Sequence, residues 1–167
     1  MVQSREEAVS RLLKSFEAYY NITRYEDTDI PILARCDFFE HSEKYVLSQK
    51  AELWSSNGEE FLYLIEIPHL TLSVYEQIRD YVYKDGMERI HVESGHMYSY
   101  LTPLFVCDTC DEDARRALKK CRIYKSFKFS LYGWMDFHTA LVEISTGKIS
   151  TNRSGHTVAK LLKKVLN

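Results

Sequence analysis

Three short segments of the form Ser/Thr-x-x-Glu occur along the chain, and each lies directly before apolar residues with helical spacing. They are Ser4-Arg-Glu-Glu7, Ser73-Val-Tyr-Glu76 and Thr109-Cys-Asp-Glu112. In such a capping box the two polar side chains accept hydrogen bonds from backbone N–H groups that lack partners at the start of a helix. Each box therefore predicts where a helix begins, and the segments between the boxes must supply the other elements.

Strand-like runs fill the interval between the first two boxes, at about 32–40, 44–54 and 60–67. The last two runs are separated by Ser55-Ser-Asn-Gly58. Asn-Gly is a strong hairpin signal because both residues tolerate a positive φ. These runs predict a three-stranded antiparallel meander.

Beyond residue 60 the pattern alternates between strand and helix. A helix from Ser73 ends near Gly86, a buried strand covers Leu101–Cys107, a helix follows Thr109, and a strand covers Ile123–Tyr132. Strands joined through helices are expected to be parallel. The segment 139–150 then predicts a hairpin with its turn at Thr146-Gly147, and a basic amphipathic helix closes the chain.

These elements predict an α+β (mixed α/β) fold for one domain, residues 1–167, in the order αβββαβαβ(ββ)α. A single mixed sheet of about five to seven strands would be flanked by helices. The chain is 45% hydrophobic, with no apolar run of membrane-spanning length and no secretory signal at its start. We therefore expect a cytoplasmic protein with no membrane partner, whose four cysteines are reduced.

The formal net charge of −2 conceals two opposed blocks. Residues 1–113 hold 10 Lys/Arg and 22 Asp/Glu, or −12, whereas residues 114–167 hold 12 Lys/Arg and 2 Asp/Glu, or +10. Such a division predicts either a basic face for nucleic acid or an acidic protein, or neutralisation between the blocks. Neutralisation between subunits would give a homo-oligomer.

The layout of helix, meander, helix and strand over residues 4–107 resembles the PD-(D/E)XK, or restriction-endonuclease-like, superfamily. The resemblance implies an acidic residue on the second strand and a Glu-x-Lys on the third, which together hold Mg²⁺ or Mn²⁺ for phosphodiester hydrolysis. Here the third strand reads Glu66-Ile-Pro68, and the second strand offers Lys50-Ala-Glu52. The implied catalytic set is therefore Glu52 and Glu66 with Lys50 as a displaced lysine, while Pro68 at the lysine position indicates a decayed enzyme.

Other chemistry-bearing motifs are weak. Cys107-Asp-Thr-Cys110 predicts either a thiolate activated by a helix N-terminus or two simply buried cysteines. The six histidines have no metal-binding spacing, and the chain has no nucleophile elbow, phosphate-binding glycine loop or dinucleotide fingerprint. We expect no cofactor and no resident metal, outside the nuclease alternative.

The most suggestive segment is Arg122–Trp134, where basic side chains interleave with five aromatic ones. Stacking rings beside cations are typical of single-stranded nucleic-acid sites. Together with the basic closing helix, the segment predicts a non-catalytic domain that binds an anionic partner; a divergent nuclease and a self-associating structural module are the alternatives. The expected anion-binding residues are Arg122, Lys125, Lys128, Lys160, Lys163 and Lys164.

Overall fold

The computed structural model describes the backbone of residues 2–43 and 55–167 and the side chains of residues 2–39 and 58–167. These residues form four helices and eight strands. The helices are α1 (Arg5–Phe16), α2 (Leu72–Arg89), α3 (Glu112–Lys120) and α4 (His156–Leu166). The strands are β1 (Asn21–Arg24), β2 (Ile32–Glu43), β3 (Ser55–Leu70), β4 (His96–Cys110), β5 (Tyr124–Ser126), β6 (Trp134–Phe137), β7 (Ala140–Glu143) and β8 (Lys148–Thr151).

All eight strands belong to one mixed sheet. Six of them follow the order β1-β2-β3-β4-β6-β5, and the other two form a branch in which β7 pairs with β4 and β8 pairs with β7. The first three strands form an antiparallel meander, and β3 is parallel to β4. The long strand β4 pairs in parallel with β6 along its first half and with β7 along its second half. The predicted α+β class with a mixed, helix-flanked sheet is confirmed, and the eight strands exceed the five to seven expected.

The helices form two layers because successive side chains of a strand point to opposite faces of the sheet. One face packs Leu62, Leu64, Leu104 and Val106 against α1 and α4. The other face packs Phe61, Tyr63, Phe105 and Leu141 against α2 and α3. No helix in these ranges is long and apolar enough to cross a membrane.

The three capping boxes differ in how well they locate a helix start. Ser4 is confirmed, since its Oγ accepts the Glu7 N–H at 3.1 Å. The expected starts at Ser73 and Thr109 are wrong, because Thr71 caps α2 and Thr109 still belongs to β4. Helix α3 starts after Asp111, where the strand ends.

The expectation that α2 ends near Gly86 is also wrong, since the helix continues to Arg89. A Cβ at Gly86 would lie 2.5 Å from Leu101 Cδ2. The glycine therefore lets the helix approach β4 closely and does not terminate it.

The expectation of a hairpin turn at Asn57-Gly58 is wrong as well. Both residues lie within β3, opposite His41 and Glu40 of β2. A Cβ at Gly58 would lie 2.1 Å from the Tyr98 ring, so this glycine makes room for an aromatic side chain. The meander gains its third strand from β1, and the expected strand at 44–54 lies outside the described residues.

The expected strand Ile123–Tyr132 is confirmed only at β5. Residues 127–133 turn back on themselves, with positive φ at Lys128 (46°), Phe129 (54°) and Ser130 (68°). The parallel partners of β4 are consequently β6 and β7. The expected hairpin within 139–150 is confirmed as β7–β8, with Gly147 at φ 66° in its turn, and α4 is confirmed as the closing helix.

Candidate anion-binding site

A basic cavity of about 570 Å³ lies at the sheet edge beside β5 and β6. Its walls are two segments that are distant in sequence, Cys121–Tyr124 between α3 and β5, and Arg153–His156 before and into α4. Asp136 of β6 completes the lining. We call this cavity the basic pocket, because Arg122, Arg153 and His156 all face it.

The buried side chain of Asn152 ties the two walls of the basic pocket together. Its Oδ1 accepts the backbone N–H groups of Thr139 (3.1 Å) and Gly155 (3.0 Å). Its amide NH₂ donates to the carbonyls of Phe137 (2.8 Å) and Cys121 (3.1 Å). Every hydrogen-bonding group of this amide is used, so Asn152 sets the position of Arg153 relative to Arg122.

The basic pocket carries excess positive charge. Among the described side chains, no carboxylate lies within ion-pair distance of Arg122 or Arg153. Asp136 is the acidic residue of the lining, and its Oδ2 lies 3.4 Å from His138 Nε2. Burial lowers the pKa of His138, so its ring is neutral near pH 7 and does not add to the positive charge.

The start of α4 adds a further feature that favours anions. Its N-cap is Gly155, which has no side chain to accept a hydrogen bond from the first turn. The first N–H groups of a helix lack intrahelical partners, and the helix dipole places partial positive charge there. Ser154 and His156 bring this helix end to the basic pocket.

The six predicted anion-binding residues fall into two groups. Arg122 lines the basic pocket, Lys125 is exposed on β5, and the Lys128 ammonium lies 4.4 Å from the centroid of the Tyr132 ring. The second group is exposed on α4 and consists of Lys160, Lys163 and Lys164. Lys164 lines a different cavity, shared with Arg11 and Lys14 of α1.

Arg153 and His156 connect these two groups, and neither was singled out in the sequence. His156 precedes Lys160 by one helical turn on the exposed face of α4. The available signal was Arg153-Ser-Gly-His156, two basic residues directly at the start of a helix, where acidic residues are usual. The basic surface therefore consists of the basic pocket and the exposed lysines of α4.

The predicted nuclease residues are only partly described. Lys50 and Glu52 lie outside the described residues. Glu66 Oε1 accepts a hydrogen bond from Arg5 Nη1 at 3.2 Å, and Arg5 Nε also donates to Asp108 at 2.9 Å. Among the described side chains, no three His, Cys, Asp or Glu residues form a potential metal site. The proposed catalytic role of Glu52, Glu66 and Lys50 stays a prediction.

Burial disfavours the thiolate form of Cys107 and Cys110. Burial raises the pKa of Cys107 to about 12 and that of Cys110 to about 11. All four cysteines of the chain are free. Burial therefore favours the second interpretation, two buried cysteines, fully for Cys107 and in part for the half-buried Cys110.

A polar network at the start of β4, buried at Glu59, His96 and Ser99 and exposed at His91, was not predicted. Ser99 Oγ donates to Glu59 Oε1 (2.8 Å), and His91 lies 2.9 Å from the same carboxylate through both its backbone N–H and its ring Nδ1. His96 Nε2 lies 2.7 Å from Ser99 Oγ. Ser99 is fully buried, so its hydroxyl is not placed to attack a substrate. The network holds the loop after α2 against β3.

Comparison with known proteins identifies a family but no activity. A family model described as a domain of unknown function, DUF8052, matches residues 4–164. The chain belongs to this family. No curated protein and no solved structure matches the chain. The DUF8052 match extends from the cap of α1 into the last turns of α4, so the basic pocket lies within the family domain.

Proposed function

We propose that this DUF8052 domain is a non-catalytic domain that binds an anionic partner, nucleic acid or an acidic protein, through its basic C-terminal third. The observation that carries the proposal is the gathering of Arg122, Arg153 and His156 around one cavity beside the N-terminus of α4. Cations, a helix N-terminus and a concave surface together favour phosphate or carboxylate groups.

The competing interpretation was that the acidic and basic blocks neutralise each other within the chain. Among the described ion pairs, the one cation from residues 114–167 is Arg115, which binds Glu143 at 2.6 Å and also Glu112. The buried carboxylate of Glu143 explains that exception, because an unpaired buried charge is costly. The other cations of this block have no described carboxylate partner, which supports an external anion.

Retention on a heparin column tests the proposal. Because each neutralised phosphate or sulfate releases counterions, we expect the protein to bind at low salt and to elute as salt rises. The variant Arg122→Gln/Arg153→Gln should elute at markedly lower salt. Arg116→Gln/Lys148→Gln removes two exposed cations of the same block, on α3 and at the start of β8, and serves as the matched control. Elution of the wild-type protein without added salt contradicts the proposal.

A divergent metal-dependent nuclease is the enzymatic alternative. Arg5 already binds both Glu66 and Asp108, so a divalent cation at Glu66 would have to compete with the guanidinium. Cleavage of plasmid DNA in Mg²⁺ or Mn²⁺, lost in Glu66→Ala, would favour this alternative.

Self-association between acidic and basic surfaces is tested by light scattering over a salt series. A cytoplasmic location is tested by fractionation of cells that express the protein.

A further inference from the structure

Two aromatic rings stand exposed on the segment that also forms the basic pocket. Tyr124 lines the basic pocket and has 62% of its surface exposed. Phe129, in the turn that follows β5, is 99% exposed, and Leu131 in the same turn is 78% exposed. These three large apolar side chains lie within eight residues of the chain, and clustered apolar exposure of this kind is typical of surfaces that contact a partner.

The turn that carries Phe129 is anchored at its base. Phe127 is buried and packs its ring against His96, with ring centroids 5.7 Å apart. The backbone N–H of Phe127 donates to the Gly133 carbonyl (2.9 Å), and the Tyr132 N–H donates back to Phe127 (3.2 Å). The exposure of Phe129 is therefore a consequence of a hydrogen-bonded turn.

Basic side chains alternate with these rings along the chain. Arg122 and Lys125 flank Tyr124, and Lys128 directly precedes Phe129. Arg122 and Lys125 have no carboxylate partner among the described side chains, and Lys128 contacts the Tyr132 ring. The segment thus offers π-faces for stacking and positive charge for phosphates within eight residues.

We propose that the anionic partner is single-stranded nucleic acid, with phosphates at Arg122 and Arg153 and unpaired bases stacked on Tyr124 and Phe129. This inference rests on the proposed function and names the partner of the same surface. An acidic protein has no need of exposed rings beside the cations. In a duplex the base faces are already stacked on one another, so these rings select a single strand.

Fluorescence anisotropy with labelled oligo-dT and oligo-U, beside a blunt duplex of equal length, tests the inference. We expect the wild-type protein to bind the single strands about tenfold more tightly than the duplex, with an affinity that falls as salt rises. Tyr124→Ala and Phe129→Ala should each weaken single-strand binding about tenfold, the magnitude typical of one lost stacking contact.

Matched variants separate stacking from other effects. Tyr124→Phe keeps the ring and should bind like the wild type. Phe39→Ala removes a ring that is 52% exposed on β2, which β3 and β4 separate from the basic pocket in the sheet, and should also leave binding unchanged. Because the substituted rings are exposed, thermal unfolding curves should match those of the wild type.

The outcomes distinguish this inference from the proposed function. Retention on heparin together with wild-type oligonucleotide binding by Tyr124→Ala and Phe129→Ala overturns the inference and leaves the proposed function standing, with an anionic partner that is recognised through its charge alone. Equal affinity for duplex and single strand overturns it in the same way. If heparin, oligo-dT and oligo-U all fail to bind the wild-type protein, both proposals fall.

Discussion

Most arginines of residues 1–113 lie in ion pairs with carboxylates, whereas most cations of residues 114–167 do not. In the first block Arg5, Arg11, Arg35, Arg79 and Arg89 each lie between 2.7 and 3.2 Å from a carboxylate. In the second block the one Lys or Arg in a described ion pair is Arg115. Carboxylates exceed cations more than twofold in the first block and are almost absent from the second. Most cations of the second block are therefore left without a described carboxylate partner, and two of them, Arg122 and Arg153, line the basic pocket.

The largest expected effect comes from breaking the link that brings the cations together. Asn152→Ala removes four hydrogen bonds and leaves buried backbone groups without partners, so we expect a loss of about 3 kcal/mol in the free energy of unfolding. Heparin retention should fall as the two walls separate. Urea denaturation measures the first effect, and Asn21→Ala, at an exposed position on β1, is the control. A variant as stable as the wild type would show that Asn152 does not hold the walls.

Charge reversal in the basic pocket should have the next largest effect. Arg122→Glu/Arg153→Glu places two carboxylates where an anion would bind, and we expect at least about a tenfold loss of affinity for heparin at low salt. The melting temperature should stay the same because both side chains are exposed. Arg116→Glu/Lys119→Glu makes the same change of net charge on the exposed side of α3, outside the lining of the basic pocket. Equal losses in both proteins would mean that net charge alone governs binding.

The opposite behaviour is expected from a paired arginine of the first block. Arg5→Met leaves the carboxylates of Glu66 and Asp108 without their cation, and we expect a loss of about 1 kcal/mol in stability with unchanged heparin retention. Arg5→Lys keeps the charge and should lose less. Urea denaturation and salt elution measured on the same samples give both quantities. Reduced retention in Arg5→Met would contradict the distinction between the two blocks.

The smallest expected effect on stability comes from His91. This residue also pairs with a carboxylate of the first block, Glu59, but unlike the arginines it titrates near neutral pH. Its hydrogen bond to Glu59 raises its pKa, so the folded protein favours the protonated ring. The stabilisation is complete below the unfolded pKa of about 6.5 and is lost as pH rises through the higher folded pKa. Since solvent screens this exposed ring, we expect about 0.5 kcal/mol.

Melting temperatures measured from pH 5 to 9 test this expectation. The difference between the wild type and His91→Asn should shrink as pH rises. A difference that stays constant over this range would mean that His91 acts through packing alone.

Sequence motifs located the elements that depend on residues within the motif itself. Ser4 caps α1 through its own side chain, and Gly147 supplies the positive φ of the β7–β8 turn. Gly58 and Gly86 were misread because the reason for each lies elsewhere in the chain, at Tyr98 and Leu101. The alternation over 123–132 is equally compatible with a turn, since side-chain pattern does not report the sign of φ.

The candidate site was likewise predicted only where it depends on neighbouring residues in the chain. Arg122 was found because cations and rings cluster in its own segment. Arg153 was missed because it reaches the basic pocket through Asn152, which bonds to Cys121, 31 residues earlier in the chain. Neither composition nor spacing records such a long-range link.

The turn after β5 also has a bearing on how this domain could evolve. Three successive residues other than glycine with positive φ cost about 1 kcal/mol each in conformational energy. Selection for heat resistance alone should therefore replace Lys128, Phe129 and Ser130 by glycine or asparagine. A lineage that keeps these three residues would lose thermal stability and retain the exposed ring of Phe129.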